Sequence, residues 1–275
     1  MQLSIITINY NDQKGLEDTF QSVFAQTHQQ FEYVVIDGGS TDGGKALIEQ
    51  HADKIDYWVS EKDTGIFNAM NKGIKAAKGD YLLFLNSGDT FYNNEVLQQA
   101  VQQISNEYQI YYGDVQRVFN DGTTTIKTYP KELKFSFFVD SAIAHQSAIV
   151  KKSLFDKVGY FNENYKIFAD WEFFVCAICK YDVPYKHLGL IVANYDMHGI
   201  SSQIDLQLAM QKEREATYKK YFPSFKEDYK EFMQLKSLQK TNRMKLFLKL
   251  EEYPTARKMN HLLLKVLHVF LKETK

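Results

Sequence analysis

The sequence predicts an α/β protein: an open sheet built with right-handed crossovers, followed by a helical C-terminal extension. Three observations carry this. Continuous β-branched apolar runs alternate with segments whose apolar residues recur at helical spacing. Several of these runs close on an acid or amide beside a polar or glycine-rich turn. The charge also splits: residues 236–275 hold ten Lys or Arg against three Glu, a net +7, which leaves −8 for residues 1–235 of a chain whose total is −1. With 275 residues, 44% hydrophobic, 15% aromatic and four prolines, the chain can bury one large core and is excluded from the disordered class.

"LSIITINY" reads as a first strand buried on both faces, ending at Asn9, Tyr10, Asn11 and Asp12. "GLEDTFQSVFAQT" sets Leu16, Phe20, Val23 and Phe24 on one helical face, and "FEYVVID" is a second buried strand closed by Asp37. "GGSTDGGKALIEQHA" supplies a loop, a Ser or Thr helix cap and a second helix. "IDYWVSE" is strand three, "TGIFNAMNKGIKAAKG" a helix, and "DYLLFLN" strand four, which stops at the turn holding Asp89. Ligands of open α/β sheets sit beyond the carboxyl ends of the strands, so Asn9 to Asp12, Asp37, Glu61 to Asp63 and Asp89 should line one crevice. Acids alone repel an anion. A nucleoside diphosphate there requires a metal ion or many backbone N–H donors.

No G-x-G-x-x-G follows the first strand and no G-x-x-x-x-G-K-[ST] occurs, which argues against a dinucleotide fold and a P-loop NTPase. "YYGDVQRVFNDGTTTIKTYP" reads as a hairpin turning at Asn120, Asp121 and Gly122, with Tyr111 and Tyr112 either packed or stacking on sugars. Cys176 and Cys179 form a C-A-I-C without a second pair, which reads as buried reduced thiols. No leader-like run opens the chain and no run of about 18 apolar residues occurs, so a cytosolic location is expected. The tail is helical. In "MNHLLLKVLHVFLKETK", Leu263, Val266, Leu267 and Phe270 form a stripe with Lys265 and Lys272 off it, the pattern of a packed helix or of one lying on anionic lipid.

The blocks "SIITINYN", "VVIDGGSTDGG", "SEKDTGIFNAMNKGIKAAKGDYLLFLNSGD" and "ADWEF" resemble, in order and spacing, the inverting family 2 glycosyltransferases of the GT-A fold. The match covers residues 1–205 and leaves 206–275 as a basic, amphipathic helical extension. "GIFNAMNKGI", "LNSGD", "YGDV" and "HQSAIV" are similar to the branch that builds bacterial capsule, exopolysaccharide or O-antigen units. The resemblance implies a Rossmann-like α/β/α sandwich with a mixed sheet, a nucleotide-sugar donor of the UDP-sugar type, Mn²⁺ or Mg²⁺, and a glycan or polyprenyl-diphosphate-linked acceptor. It also implies residence in the cytoplasm or peripherally on the cytoplasmic face of the membrane, with the C-terminal helices as the contact. An acidic body argues against a nucleic-acid partner.

Carried over by position, Thr7, Asn9, Tyr10 and Asn11 with Asp37 and Asp63 imply the nucleoside pocket, and Asn71 and Lys72 lie on the helix facing it. Ser87, Gly88 and Asp89 stand where the family carries its D-x-D element, so Asp89 is the implied metal ligand and Gly88 replaces a second acid. Asp170 is the implied general base, although Ala169 stands where relatives carry Glu. His145 and Gln146 are expected near the diphosphate or acceptor, and His198 as a second metal ligand or phosphate donor. Simpler readings stand beside these: Asp37 and Asp89 suit turns, Asp170 suits a helix N-cap, and both histidines suit structural roles. A sugar-nucleotide nucleotidyltransferase would place a Gly-rich loop after strand one, where this chain has "INYNDQKG". Gly88, Ala169 and Asn68 also motivate a degenerate, binding-only protein.

Overall fold

The structure, a computed structural model, describes residues 2–197 and 207–273. It divides into two compact units, Met1–Tyr221 and Phe222–Lys275. In the first unit β1 (Leu3–Asn9), α1 (Gln13–Phe24), β2 (Phe31–Asp37), α2 (Gly44–Gln50), β3 (Tyr57–Ser60), α3 (Ile66–Ala76) and β4 (Tyr81–Phe84) follow the alternation read from the sequence. All seven residues of β1 are buried, as its unbroken apolar run requires. β1 pairs in parallel with both β2 and β4, and β2 with β3. The chain leaves β1 toward β2 and β3 and returns on the other side of β1 to β4. Its switch point, and hence its crevice, lies past the ends of β1 and β4.

The remaining elements are β5 (Thr90–Phe91), α4 (Val96–Val101), β6 (Ile110–Val118), β7 (Thr124–Lys127), α5 (Phe135–Asp140), β8 (Ala148–Lys151), α6 (Leu154–Val158), α7 (Ala169–Val175), β9 (Tyr185–Asp196) and α8 (Gln207–Tyr221). The strand order is β3-β2-β1-β4-β8-β6-β9-β5, with β7 on β6. β8 is antiparallel to β4 and β6, and β9 is parallel to β6, so the sheet is mixed. The expected hairpin is β6–β7, with Val118 opposite Thr124. Tyr111 and Tyr112 are wholly buried and donate to the carbonyls of Ser105 and Pro130, both at 2.6 Å; the packing reading holds for them.

Two apolar layers hold the sheet. On one face Leu3, Ile5, Tyr33 and Val35 meet Leu16, Phe20 and Val23 of α1. Away from that layer Phe155 stacks on Phe173 with ring centres 4.5 Å apart, and Phe161 packs edge-on to both. Cys176 and Cys179 follow α7 as free thiols, both pushed up to about 12 by burial, so they are inert at neutral pH.

The first unit runs past the boundary expected at residue 205 and takes in α8. The physical reason is a set of polar clamps: buried Glu213 accepts from the N–H groups of Lys166, Ile167 and Phe168 at 2.6, 3.2 and 2.9 Å. Arg214 donates to the Val139 carbonyl at 2.6 Å and lies over the rings of Phe168 and Trp171. The second unit contains α9 (Lys226–Lys240), α10 (Asn242–Glu251) and α11 (Pro254–Glu273). Thr241 caps α10 by accepting from the Met244 N–H, and Pro254 occupies the first turn of α11, where its missing N–H costs nothing. Among the described residues no helix is long and apolar enough to cross a membrane.

Candidate active site

Asp37 ends β2 wholly buried, with both oxygens committed. Oδ1 accepts from Asn9 Nδ2 at 2.8 Å and Ser40 Oγ at 2.5 Å; Oδ2 accepts from Ser60 Oγ at 2.6 Å and from the N–H groups of Gly39 and Ser40 at 3.2 and 3.0 Å. Burial opposes its charge, yet the bonds from Ser40, Ser60 and Asn9 outweigh burial and hold the carboxyl below its usual range. Asp37 thus fastens the 38–41 loop. Asn11 joins the same clip, accepting from the Thr41 N–H at 2.8 Å and donating its own N–H to Ser40 Oγ at 2.8 Å. Its φ of +51° belongs to the left-handed region that Asn tolerates best after Gly.

Gly38 shows what borders the opening above this loop. A Cβ there would lie 2.4 Å from Asp63 Oδ2 and 3.1 Å from the Tyr10 ring, so these two side chains flank bare backbone. Tyr10 is 65% exposed, which leaves its ring face free to stack. Two expected pocket residues point elsewhere. Thr7 is buried within β1, donating to the Leu85 carbonyl at 2.8 Å beside the Tyr33 hydroxyl. Asn71 is buried against Phe161, exchanging both backbone bonds with it at 2.9 and 3.0 Å, and donates to Glu163 at 2.8 Å. Helical spacing explains this, because Asn71 shares the inward face of α3 with Phe67, Met70 and Ile74. Lys72 pairs with Glu61 at 2.7 Å, and Asn68 donates to Glu163 at 2.9 Å.

The turn after β4 is built from Asn86 to Asp89. Ser87 donates to the Asp12 carbonyl at 3.0 Å, and Gly88 takes φ +90°, which a side chain resists. Asp89 is 4% exposed; its Oδ2 accepts from Gln146 Nε2 at 2.9 Å and its Oδ1 from the Asp196 N–H at 3.0 Å. Burial pushes its carboxyl up to about 7, only partly offset by His145, Gln146 and that N–H. The carboxylates of Asp196 and Asp12 border the space over Gly88: a Cβ there would lie 2.9 Å from Asp196 Oδ2 and 3.6 Å from Asp12 Oδ2. Among the described residues no three His, Cys, Asp or Glu side chains come close enough to hold a cation unaided. The donor set therefore fits a hard divalent ion only when ligand oxygens complete its shell. His198 lies outside the described residues.

His145 and Gln146 are adjacent, and they divide between two acids. Gln146 holds Asp89, while His145 Nδ1 lies 3.0 Å from Asp170 Oδ2 and His145 Nε2 lies 2.9 Å from Asn86 Nδ2. With Asn86 donating, Nε2 accepts and Nδ1 carries the proton given to Asp170. Asp170 also accepts from the Trp171 N–H at 2.8 Å, and its side chain remains 17% exposed. Trp171 is wholly buried, donating to the Phe138 carbonyl at 2.9 Å, so the first turn of α7 is fixed from below. One dipeptide therefore ties a buried acid at the β4 turn to a partly open acid at the start of α7. Sequence reasoning missed Asp196, although "LIVANYD" closes on an acid just as "FEYVVID" does. It missed the clamp residue Glu213 because nothing local marks it.

Among solved structures, the chain is similar to S. aureus TarS in complex with UDP-GlcNAc, at 21% identity and TM-score 0.59 over 71% of this chain and 58% of that one. It thus spans less than two thirds of that protein. It is also similar to the mannosyltransferase PcManGT from Pyrobaculum calidifontis in complex with GDP-Man and Mn²⁺, at 14% identity and TM-score 0.59 over 94% and 82% of the two chains. At these identities the likeness is one of fold, and the fold is GT-A. An uncharacterised glycosyltransferase of Mycobacterium tuberculosis is 33% identical over 200 residues, 66% of this chain and 74% of that protein. A PGL/p-HBAD biosynthesis glycosyltransferase of Mycobacterium bovis is 28% identical over 206 residues, 71% and 77% of the two chains. The model of glycosyl transferase family 2 matches residues 4–167, and the chain belongs to that family.

Proposed function

We propose that this glycosyltransferase moves a sugar from a UDP-sugar, with inversion and with the help of Mn²⁺ or Mg²⁺, to a lipid-linked glycan of a bacterial surface polysaccharide. The observation that carries the reading is the His145–Gln146 dipeptide joining Asp89 to Asp170. In this reading Tyr10 stacks on the base, Asp63 accepts from a base or ribose donor, and Asp37, Asn9 and Asn11 hold the loop in place. Asp89 and Asp196 would hold the cation, with the diphosphate oxygens completing its shell. That ion would neutralise the negative charge that builds on the leaving nucleotide.

Asp170 takes the proton of the acceptor hydroxyl as its oxygen bonds to the anomeric carbon. The bond from that carbon to the phosphate oxygen breaks, and its electron pair leaves with the nucleoside diphosphate. His145 orients Asp170 through its Nδ1–H, and each Asp170 oxygen keeps a lone pair that the acceptor hydroxyl can use. The donors held by TarS and PcManGT support a nucleotide sugar, and Mn²⁺ in the latter supports a metal. The naming of mycobacterial relatives for PGL biosynthesis supports a glycolipid-like acceptor. Asp170→Asn should leave UDP affinity unchanged and slow UDP release from a UDP-sugar by on the order of 10² to 10⁴-fold, measured by coupled nucleotide detection. Unchanged turnover would remove Asp170 as the base.

A further inference from the structure

The β6–β7 hairpin carries two cations that the reading above does not use. Arg117 on β6 lies opposite Thr125, and Lys127 on β7 lies opposite Val115, so the antiparallel register sets Arg117 and Lys127 diagonally on one face of the sheet. Lys127 runs over the Tyr129 ring, 4.9 Å from its centre, and donates to the Ala142 carbonyl at 3.0 Å, three residues before His145. Tyr129 in turn accepts from the Ala144 N–H at 3.0 Å. The hairpin face is thereby fastened to the segment that delivers His145 and Gln146. Lys127 feels the charges of both Arg117 and Asp170, and burial with Arg117 lowers its pKa to about 8.

Arg117 is half-buried and its Nε is closed to solvent without a hydrogen-bond partner. Among the described residues its guanidinium has no acceptor and no ion pair. The acid Asp114, on the same strand, turns its Oδ1 away from the pair, accepting from the Tyr129 N–H at 2.9 Å and lying 3.0 Å from His187 Nε2. Asp170 is held by His145 and Trp171. A guanidinium whose Nε is shut off from water, beside a second cation and with no ion pair to either among the described residues, is an arrangement that an anion would complete. A guanidinium fork and an ammonium together match a phosphoryl group.

We propose that Arg117 and Lys127 form a phosphate subsite on the acceptor side of Asp170, so that the acceptor carries a phosphoryl group close to its attacking hydroxyl. The side follows from the proposed inverting transfer, on which this inference rests. The base stands with the nucleophile, opposite the leaving diphosphate. The acceptor class this describes is a sugar borne directly on a phosphate or diphosphate, rather than a long neutral glycan whose phosphate is many residues away.

The test is calorimetric titration of inorganic phosphate and of UDP with Mn²⁺ into wild type, Arg117→Gln, Lys127→Gln and the charge-keeping Arg117→Lys. Phosphate is titrated with and without saturating UDP. The wild type should bind phosphate in both states, Arg117→Gln and Lys127→Gln should each weaken it at least tenfold, and Arg117→Lys should retain most of it. UDP affinity should stay within twofold throughout, which also shows that the variants are folded. A tenfold loss of UDP affinity in Arg117→Gln, with Arg117→Lys normal, would assign the cations to the donor diphosphate and overturn the acceptor-side assignment. Phosphate binding that is absent in wild type, or indifferent to both glutamine substitutions, would overturn the subsite. Failure of UDP to bind at all would sink the donor reading while leaving the phosphate titration without nucleotide readable.

Discussion

Asp37 and Asp89 both close strands, yet their surroundings give them opposite chemistry. Asp37 meets five donors and is held ionised; Asp89 meets two and is driven toward its neutral form by burial. The folded-state pKa of Asp37 lies below its ordinary 3.8, so its stabilising effect is complete above that value and is lost as pH falls through the folded pKa. Asp37→Asn should therefore cost about 3 kcal/mol at pH 7, with the gap to wild type narrowing below about pH 4, read by urea unfolding at both pH values. An equal gap at both would show that shape rather than charge governs the site. The pattern of an apolar run ending in an acid located Asp37 and Asp89 from sequence. The same pattern does not separate a ligand-facing acid from one spent on its own loop, because that depends on Ser40 and Ser60 folding back over it. Thr7 and Asn71 show a related limit: each sits on an element facing the crevice, but strand alternation and helical phase turn their side chains into the core.

At the scale of elements, the crevice depends on parts distant in sequence. β1 and β4 supply the switch point, the segment before β8 supplies His145 and Gln146, and α7 presents Asp170. α8 locks α7 through Glu213, whose carboxylate satisfies three N–H groups just before that helix, where unpaired donors and the positive helix end favour an anion. Glu213→Ala strands those donors and should cost about 3 kcal/mol, seen as a lower midpoint in urea, with kcat falling more than KM because Asp170 loses its placement. A variant that unfolds normally and turns over normally would show that α8 merely covers α7. The βαβ alternation and the hairpin were legible because each is coded within a few adjacent residues. The clamp was not, since Glu213 and Lys166 lie far apart in sequence and "LQLAMQKEREATYKKYF" reads as an ordinary solvated helix.

At the scale of the whole molecule, the two units differ in charge and in surface. On α11, Met259, Leu262, Leu263, Leu264, Val266, Leu267, Val269 and Phe270 are 43–67% exposed, within the stretch 236–275 whose net charge is +7. Apolar surface of this extent beside Arg257, Lys258 and Lys265 has the chemistry of a helix that lies on anionic lipid, and we propose that role for it. The intact protein should co-sediment with vesicles containing phosphatidylserine but not with pure phosphatidylcholine. Replacing Lys258 and Lys265 by Gln should weaken that binding about 30-fold, from about 1 kcal/mol per lysine. Equal binding to both vesicle types, or none to either, would return the helix to a protein partner. The basic, amphipathic character of this tail was plain in the sequence. Whether protein covers its apolar side was not, because burial is decided by tertiary contacts.

Calorimetric titration of UDP, with and without Mn²⁺, into wild type and Asp89→Ala asks whether Asp89 forms a metal-assisted nucleotide site. Binding that is strengthened by Mn²⁺ in the wild type and loses that dependence in Asp89→Ala is the predicted result. Metal-independent binding of equal strength in both proteins would contradict it.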